Sequence, residues 1–195
     1  MARPFEFDKD VVLDKAMLLF WDRGYFDTSF QDIVLHLELN RSSIYNSFTD
    51  KRTLFIESLK HYINKESISL MQNLSKLPHE QNSIKKILEQ VVSANFTNKN
   101  PKGCLVVNTA IEIANHDKDI QHIIANNTKE VIASFTDFIK AGQKQGNLNT
   151  KIKADALAIA LFHQITALRV TGKVITNKSF FSNTINTFIQ LFNKT

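Results

Sequence analysis

Apolar positions along this chain recur three and four residues apart in run after run, and short polar or glycine-bearing breaks separate the runs. That period is helical. Asp8 can cap a first helix whose stripe is Val12, Ala16, Leu19 and Phe20; Phe7 and Val12 are placed as a staple across its start, and Gly24 ends it. Thr28 followed by Gln31 fits a capping box, so a second helix opens at Ser29 with Phe30, Ile33, Val34 and Leu37 on one side. Glu38 and Leu39 make a tight turn, and Asn40 caps a third helix that begins Arg41-Ser42-Ser43. Leu39 and Ile44 are spaced as a second staple, while Ile44 and Phe48 share the inner face. Thr49 or Asp50 opens a fourth helix carrying Phe55, Leu59, Tyr62 and Ile63 on one side. Leu77-Pro78-His79 breaks the chain, a polar loop is expected at 98–103, and helical segments are predicted at 81–97, about 104–115, 117–145, 154–173 and 179–193. The sum is an all-α chain of about nine helices.

The second and third helices form a short helix, a tight turn and another short helix, which is how a helix-turn-helix meets DNA. With Ile44 and Phe48 turned inward, the outer side of the third helix presents Arg41, Ser42, Ser43, Tyr45 and Asn46. Such a surface suits a major groove: serine reaches base edges or phosphates, arginine favours guanine and asparagine favours adenine.

Residues 12–59 resemble the TetR family of one-component transcriptional regulators. The likeness rests on Arg23-Gly24-Tyr25, Asp27-Thr28-Ser29, Asn40-Arg41-Ser42-Ser43-Ile44-Tyr45, Phe48 and Lys51 at fixed spacing. It implies an N-terminal three-helix helix-turn-helix DNA-binding domain in residues 1–50. A C-terminal helical effector-binding and dimerisation domain is implied in 51–195, with a helix of about 51–66 connecting the two. Thr28, Tyr45 and Lys51 are then expected to contact phosphates, and Arg41, Ser42, Ser43 and Asn46 to approach the bases. The resemblance further implies a homodimer through the last two helices, a palindromic double-stranded DNA operator, and repression relieved by a small-molecule effector. At one position the chain departs from the pattern: Glu38 stands where the turn often carries glycine, so it either takes a less favourable backbone or sits in a different turn. Residues 103–110 also resemble a segment found in many C-terminal domains of this family.

Composition narrows the picture without carrying it. The chain has 195 residues, 43% of them hydrophobic, with only five glycines and three prolines, so it can bury a sizeable core and favours helices. No stretch of 18 apolar residues exists and the first ten residues are charged, which leads to the expectation of a soluble, cytoplasmic protein with no membrane segment. The formal net charge is +5, but residues 1–65 hold nine Lys plus Arg against ten Asp plus Glu. Placement matters more than the total: Arg3, Arg41, Lys51 and Arg52 are expected around the recognition unit, so the DNA reading rests on the motif.

Candidate chemistry in the C-terminal half is sparser. Phe96, Phe135 and Phe138 are candidates to line an apolar effector pocket, against the plainer reading of core packing. Cys104 follows a glycine at a helix start with Lys102 nearby, the setting of some reactive cysteines and of some electrophile-sensing or oxidant-sensing relatives; the plainer reading is a small buried hydrophobe. The histidines lack metal-ligand spacing, so no metal and no cofactor is expected. Asp117 with Asp119, or Glu112 with His116, read as solvated helix surface rather than acid and base, and Cys104 lacks an identifiable base and oxyanion motif. The chain is therefore not read as an enzyme. An alternative is a helix-turn-helix protein that acts through a protein partner in place of DNA.

Overall fold

The computed structural model describes residues 8–97 and 102–194, apart from the side chains of Asn95 and Thr97. Arg3, the expected staple residue Phe7 and residues 98–101 of the expected loop lie outside the described residues. Asp8 caps α1 (Lys9–Arg23) by accepting the amides of Asp10 and Val11, and Val12, Ala16, Leu19 and Phe20 are buried as their spacing predicts. The helix stops at Gly24, whose φ of 84° and ψ of 174° lie in a region that essentially only glycine enters.

The capping box that opens α2 (Phe30–Leu37) sits one residue later than predicted. Ser29 is the cap: its hydroxyl accepts the Asp32 amide at 3.1 Å, and the Asp32 carboxylate accepts the Ser29 amide at 2.9 Å. A carboxylate at that position is a stronger acceptor than the Gln31 amide. Thr28 is drawn inward instead, 0% exposed, with its hydroxyl donating to the Gly24 carbonyl at 2.6 Å. After α2, Glu38 adopts the left-handed conformation at φ 56°, ψ 32°, the less favourable backbone of the two alternatives, and its carboxylate accepts Lys15 of α1 at 2.9 Å. Asn40 caps α3 (Arg41–Phe48), accepting the Ser43 amide and the Ser42 hydroxyl, each at 2.8 Å. Asp50, not Thr49, caps α4 (Lys51–Tyr62).

A π-helical turn, Ile63–Ser67, carries α4 without a break into α5 (Ile68–Leu74). The remaining helices are α6 (Gln81–Thr97), α7 (Leu105–Glu112), α8 (Lys118–Lys144), α9 (Ala154–Thr171) and α10 (Lys178–Phe188), the last followed by a 3₁₀ turn at Ile189–Phe192. With α4 and α5 counted together, nine helices and no strand occur among the described residues, in agreement with the expected all-α class.

The residues divide into two compact units. One comprises the chain up to Ser67 together with Leu105–Ile124. Its centre is Phe20, edge-on to Phe55 at 5.0 Å, with Tyr25 edge-on to the same ring at 4.9 Å; Ala16, Ile33, Ile44, Leu54 and Leu59 close around them. Two polar ties join α7 and the start of α8 to the α1–α2 loop and to α4 within this unit. The Glu112 carboxylate accepts the Phe26 amide at 2.7 Å. The Arg52 guanidinium binds Asp117 through two nitrogens at 2.6 and 2.9 Å and Asp119 at 2.6 Å. Asp117 also accepts the amides of Asp119 and Ile120, which fixes the first turn of α8.

The other unit comprises Ile68–Cys104 and the chain from Ala125 onward. α6 lies against α9 and α10, and Ile84, Leu88, Phe135, Ile139, Leu157, Leu161, Phe181 and Phe192 fill the interior. Gln143 ties down the loop before α9 by donating to the carbonyls of Asn149 and Ile152 at 2.6 and 2.8 Å.

Replacing Gly24 with alanine is expected to destabilise the protein by about 1–3 kcal/mol through backbone strain. The added Cβ would also meet the Glu112 carboxylate oxygens at 2.9 Å. Thermal unfolding checks this, and an unchanged midpoint would contradict it. The second prediction concerns acid. Arg52 holds the Asp117 carboxyl down at about 2, below its ordinary 3.8. A depressed carboxylate contributes stability that is present above the ordinary value and is lost as pH falls through the folded-state value. The stability gap between the wild type and Asp117→Asn should therefore be full near neutrality and shrink as pH falls from about 4 towards about 2. Urea midpoints measured across that range test it, and a gap independent of pH would exclude the mechanism.

Candidate nucleic-acid interface and effector clefts

α3 is short, and its two faces are sharply different. Ile44 and Phe48 are each 1% exposed, whereas Arg41, Ser42, Tyr45 and Asn46 are exposed and Ser43 is half-buried. Tyr45 does not stand alone. Its ring stacks on Phe30 at 4.7 Å with 13° between planes, and the Arg41 guanidinium lies 4.8 Å from the same Phe30 ring. Phe30 is therefore a half-buried platform shared by two expected DNA-contacting side chains. The helical stripe marked it only as apolar. Its two partners, each on α3, become visible once α2 and α3 pack.

Lys51 opens α4, with its ammonium 4.4 Å over the Tyr25 ring. Partial burial lowers its pKa from the ordinary value, while the nearby carboxylates of Glu112 and Asp27 act in the opposite direction. Arg52 is committed to Asp117 and Asp119, so its charge is spent inside the unit. Those two aspartates serve as the cap and anchor of α8 rather than as bare solvated surface. Glu112, the other acidic candidate, is held on the Phe26 amide. Thr28, expected at a phosphate, has no accessible surface, and its hydroxyl proton is used by the Gly24 carbonyl. Ser29 at this helix start is exposed, but its hydroxyl donates to the Asp32 carboxylate at 2.6 Å.

The four candidate effector residues all belong to the second unit but differ in setting. Phe96 is half-buried and lines a cleft of about 380 Å³ between α6 and α10. Phe138 borders a cleft of about 290 Å³ with Met71, Leu74, Ser75, His79, Ser134 and Asp137, its ring 4.9 Å from His79. Phe135 is 1% exposed within the core. Cys104 is buried, and the Arg169 guanidinium donates to its sulfur at 3.4 Å. Among the described residues, no three of His, Cys, Asp and Glu gather as a metal-binding group, and no helix is long and apolar enough to cross a membrane.

Residues 12–57 match the family model for bacterial regulatory proteins of the tetR family, and residues 82–188 match the tetracyclin repressor-like C-terminal domain. The chain is 30% identical over 171 residues to the HTH-type transcriptional regulator YezE of Bacillus subtilis (strain 168), covering 88% of each chain. It is also 30% identical over 151 residues to the HTH-type transcriptional repressor ComR of Escherichia coli (strain K12), covering 75% of this chain and 70% of that one. Among solved structures, a cysteine mutant of the TetR family regulator CifR, complexed with 26 bp double-strand operator DNA, has a TM-score of 0.84 at 25% identity over 96% of this chain and 98% of that one. Reduced Escherichia coli NemR has a TM-score of 0.82 over 96% of this chain and 98% of that one; at 16% identity the likeness is one of fold.

Proposed function

From the premise that this chain belongs to the TetR family of bacterial regulatory proteins, we propose that it is a sequence-specific repressor, released from a palindromic operator by a small molecule. The two-faced α3 carries this reading: its inner residues are inaccessible and its outer residues are those that read bases and phosphates. Arg41, Ser42, Ser43 and Asn46 approach base edges, while Tyr45 and Lys51 hold the phosphate backbone. Two α3 helices related by a two-fold axis would read half-sites about 34 Å apart, which requires a dimer. Exposed Ile159 and Val170 on α9, with Phe180 on α10 and Leu191 just beyond it, support pairing of two copies through the last two helices. An effector that binds the second unit better in the released conformation shifts the equilibrium by its differential affinity.

A second reading of the trigger rests on Cys104. Reactive thiols sit in electropositive, partly exposed settings; Arg169 supplies the positive neighbour, and the sulfur itself is buried, at 4% exposure. In this reading a mild electrophile alkylates Cys104 in the native protein and reduces operator affinity, and Cys104→Ser abolishes the response. Complete resistance of the native thiol leaves Cys104 a packing residue.

Selection of bound DNA from a random library at two salt concentrations tests the main reading, with an inverted repeat as the expected product. Lys51→Ala should weaken binding to every sequence and reduce the salt slope by about one, whereas Arg41→Ala or Asn46→Ala should change the selected bases. Unchanged affinity and slope in Lys51→Ala would remove that lysine from the interface. Failure to enrich any repeat would move the protein-partner alternative ahead.

A further inference from the structure

The cleft between α6 and α10 has a composition unlike that of a gap between two packed helices. Its floor is Val92, Phe96, Phe181 and Ile185, and Phe181 and Ile185 are buried core residues that hold it rigid. The Phe96 and Phe181 rings meet edge-to-face at 5.8 Å. The rim carries two ammonium groups, Lys85 and Lys178, against one carboxylate, Glu89, with Ser93, Ser182 and Asn186 beside them. Lys85 lies 3.9 Å from Glu89, one helical turn away, at side-chain exposures of 38% and 55%. Such a pair contributes little and is readily re-partnered. Lys178 sits 5.5 Å over the Phe96 ring.

We propose that this cleft binds a small organic anion, a compact aromatic or apolar body with one oxyanion head. The body lies on the Phe96 and Phe181 floor, and the head accepts from Lys85 and Lys178. A cationic ligand fits less well, because it faces two ammonium groups with one carboxylate. The volume of about 380 Å³ falls at the small end of ligand pockets, which limits the body to a compact molecule. By the helical period, Lys178, Ser182 and Asn186 lie on the flank of α10 opposite Phe180, so occupation leaves the exposed Phe180 uncovered. As the effector site of the repressor, this assignment rests on the reading above; as an anion site it does not.

The test uses the full chain and two fluorescent probes that share an aromatic body: 1-anilinonaphthalene-8-sulfonate and its uncharged analogue N-phenyl-1-naphthylamine. Saturable binding of the sulfonate is expected, at one site per chain. Lys85→Gln with Lys178→Gln should weaken the sulfonate by about tenfold or more, since charge-assisted contacts are lost, and leave the neutral probe unchanged. The paired arginine variant should retain sulfonate binding, and Ser182→Phe, which fills the cleft, should weaken both probes. Unchanged sulfonate affinity in the glutamine variant overturns the proposal. So does an equal loss for both probes, because charge would then not be the cause. No DNA is present in the titration, so a failed operator selection leaves this result standing, and a failed titration leaves the DNA reading intact.

Discussion

An eight-residue helix in water does not hold itself together, because nucleation costs more than so few hydrogen bonds return. α3 is such a helix, and every residue proposed on it to contact DNA depends on what is buried behind it. Ile44 and Phe48, inaccessible in the core of the first unit, contribute about 1.5–3 kcal/mol each by the area rule. Asn40 satisfies the first turn. With these fixed, the outer residues are presented at set angles, and the Phe30 ring restricts Tyr45 and Arg41 further. Rotamer freedom removed before binding is not lost again on DNA, so in the proposed interface the platform would lower the cost of recognition.

The same unit shows how charge is allotted. Its composition is not basic, yet its cations are not equivalent. Arg52 is held by two aspartates and Lys15 by Glu38, while Lys51 keeps a half-exposed ammonium over Tyr25. Arg41, resting on Phe30, is exposed. A field strong enough to attract a polyanion does not need an excess of positive charge; it needs cations at the surface that are not neutralised by neighbours.

Two backbone positions carry strain around α3. Glu38 and Thr49, before and after it, both have positive φ, at 56° and 62°, and neither is glycine. Such conformations cost of order 1–3 kcal/mol and persist only where the surroundings dictate them. At Glu38 the ion pair with Lys15 is a visible compensation, though a modest one at an exposed site. At Thr49 the amide still closes the helix on the Tyr45 carbonyl at 2.9 Å, which keeps the end of α3 in register.

Much of the fold was legible in the sequence where the deciding interactions are local. The caps Asp8 and Asn40 act within four residues of themselves, the stripe of α1 follows from the helical period, and α6 begins and ends at the residues predicted. The outward set on α3 follows once Ile44 and Phe48 are known to be inside. Legibility failed where choices between near-equal local options were made at a distance. Thr28 and Ser29 could each cap α2; the carbonyl left open at Gly24 drew Thr28 inward, and the acceptor Asp32 suited Ser29. Arg52 was expected among the cations around the recognition unit, but its partners are aspartates 65 and 67 residues away. Glu112 finds the Phe26 amide across 86 residues, so α7 and the start of α8 share the unit of the helix-turn-helix although the sequence put them with the C-terminal half. The sequence by itself determined which segments are helical and which α3 residues face out, because capping and periodicity are short-range. Only the tertiary structure decided which cations remain exposed, which ring supports Tyr45 and where Phe96 meets Lys178, because those depend on packing between helices far apart in the chain.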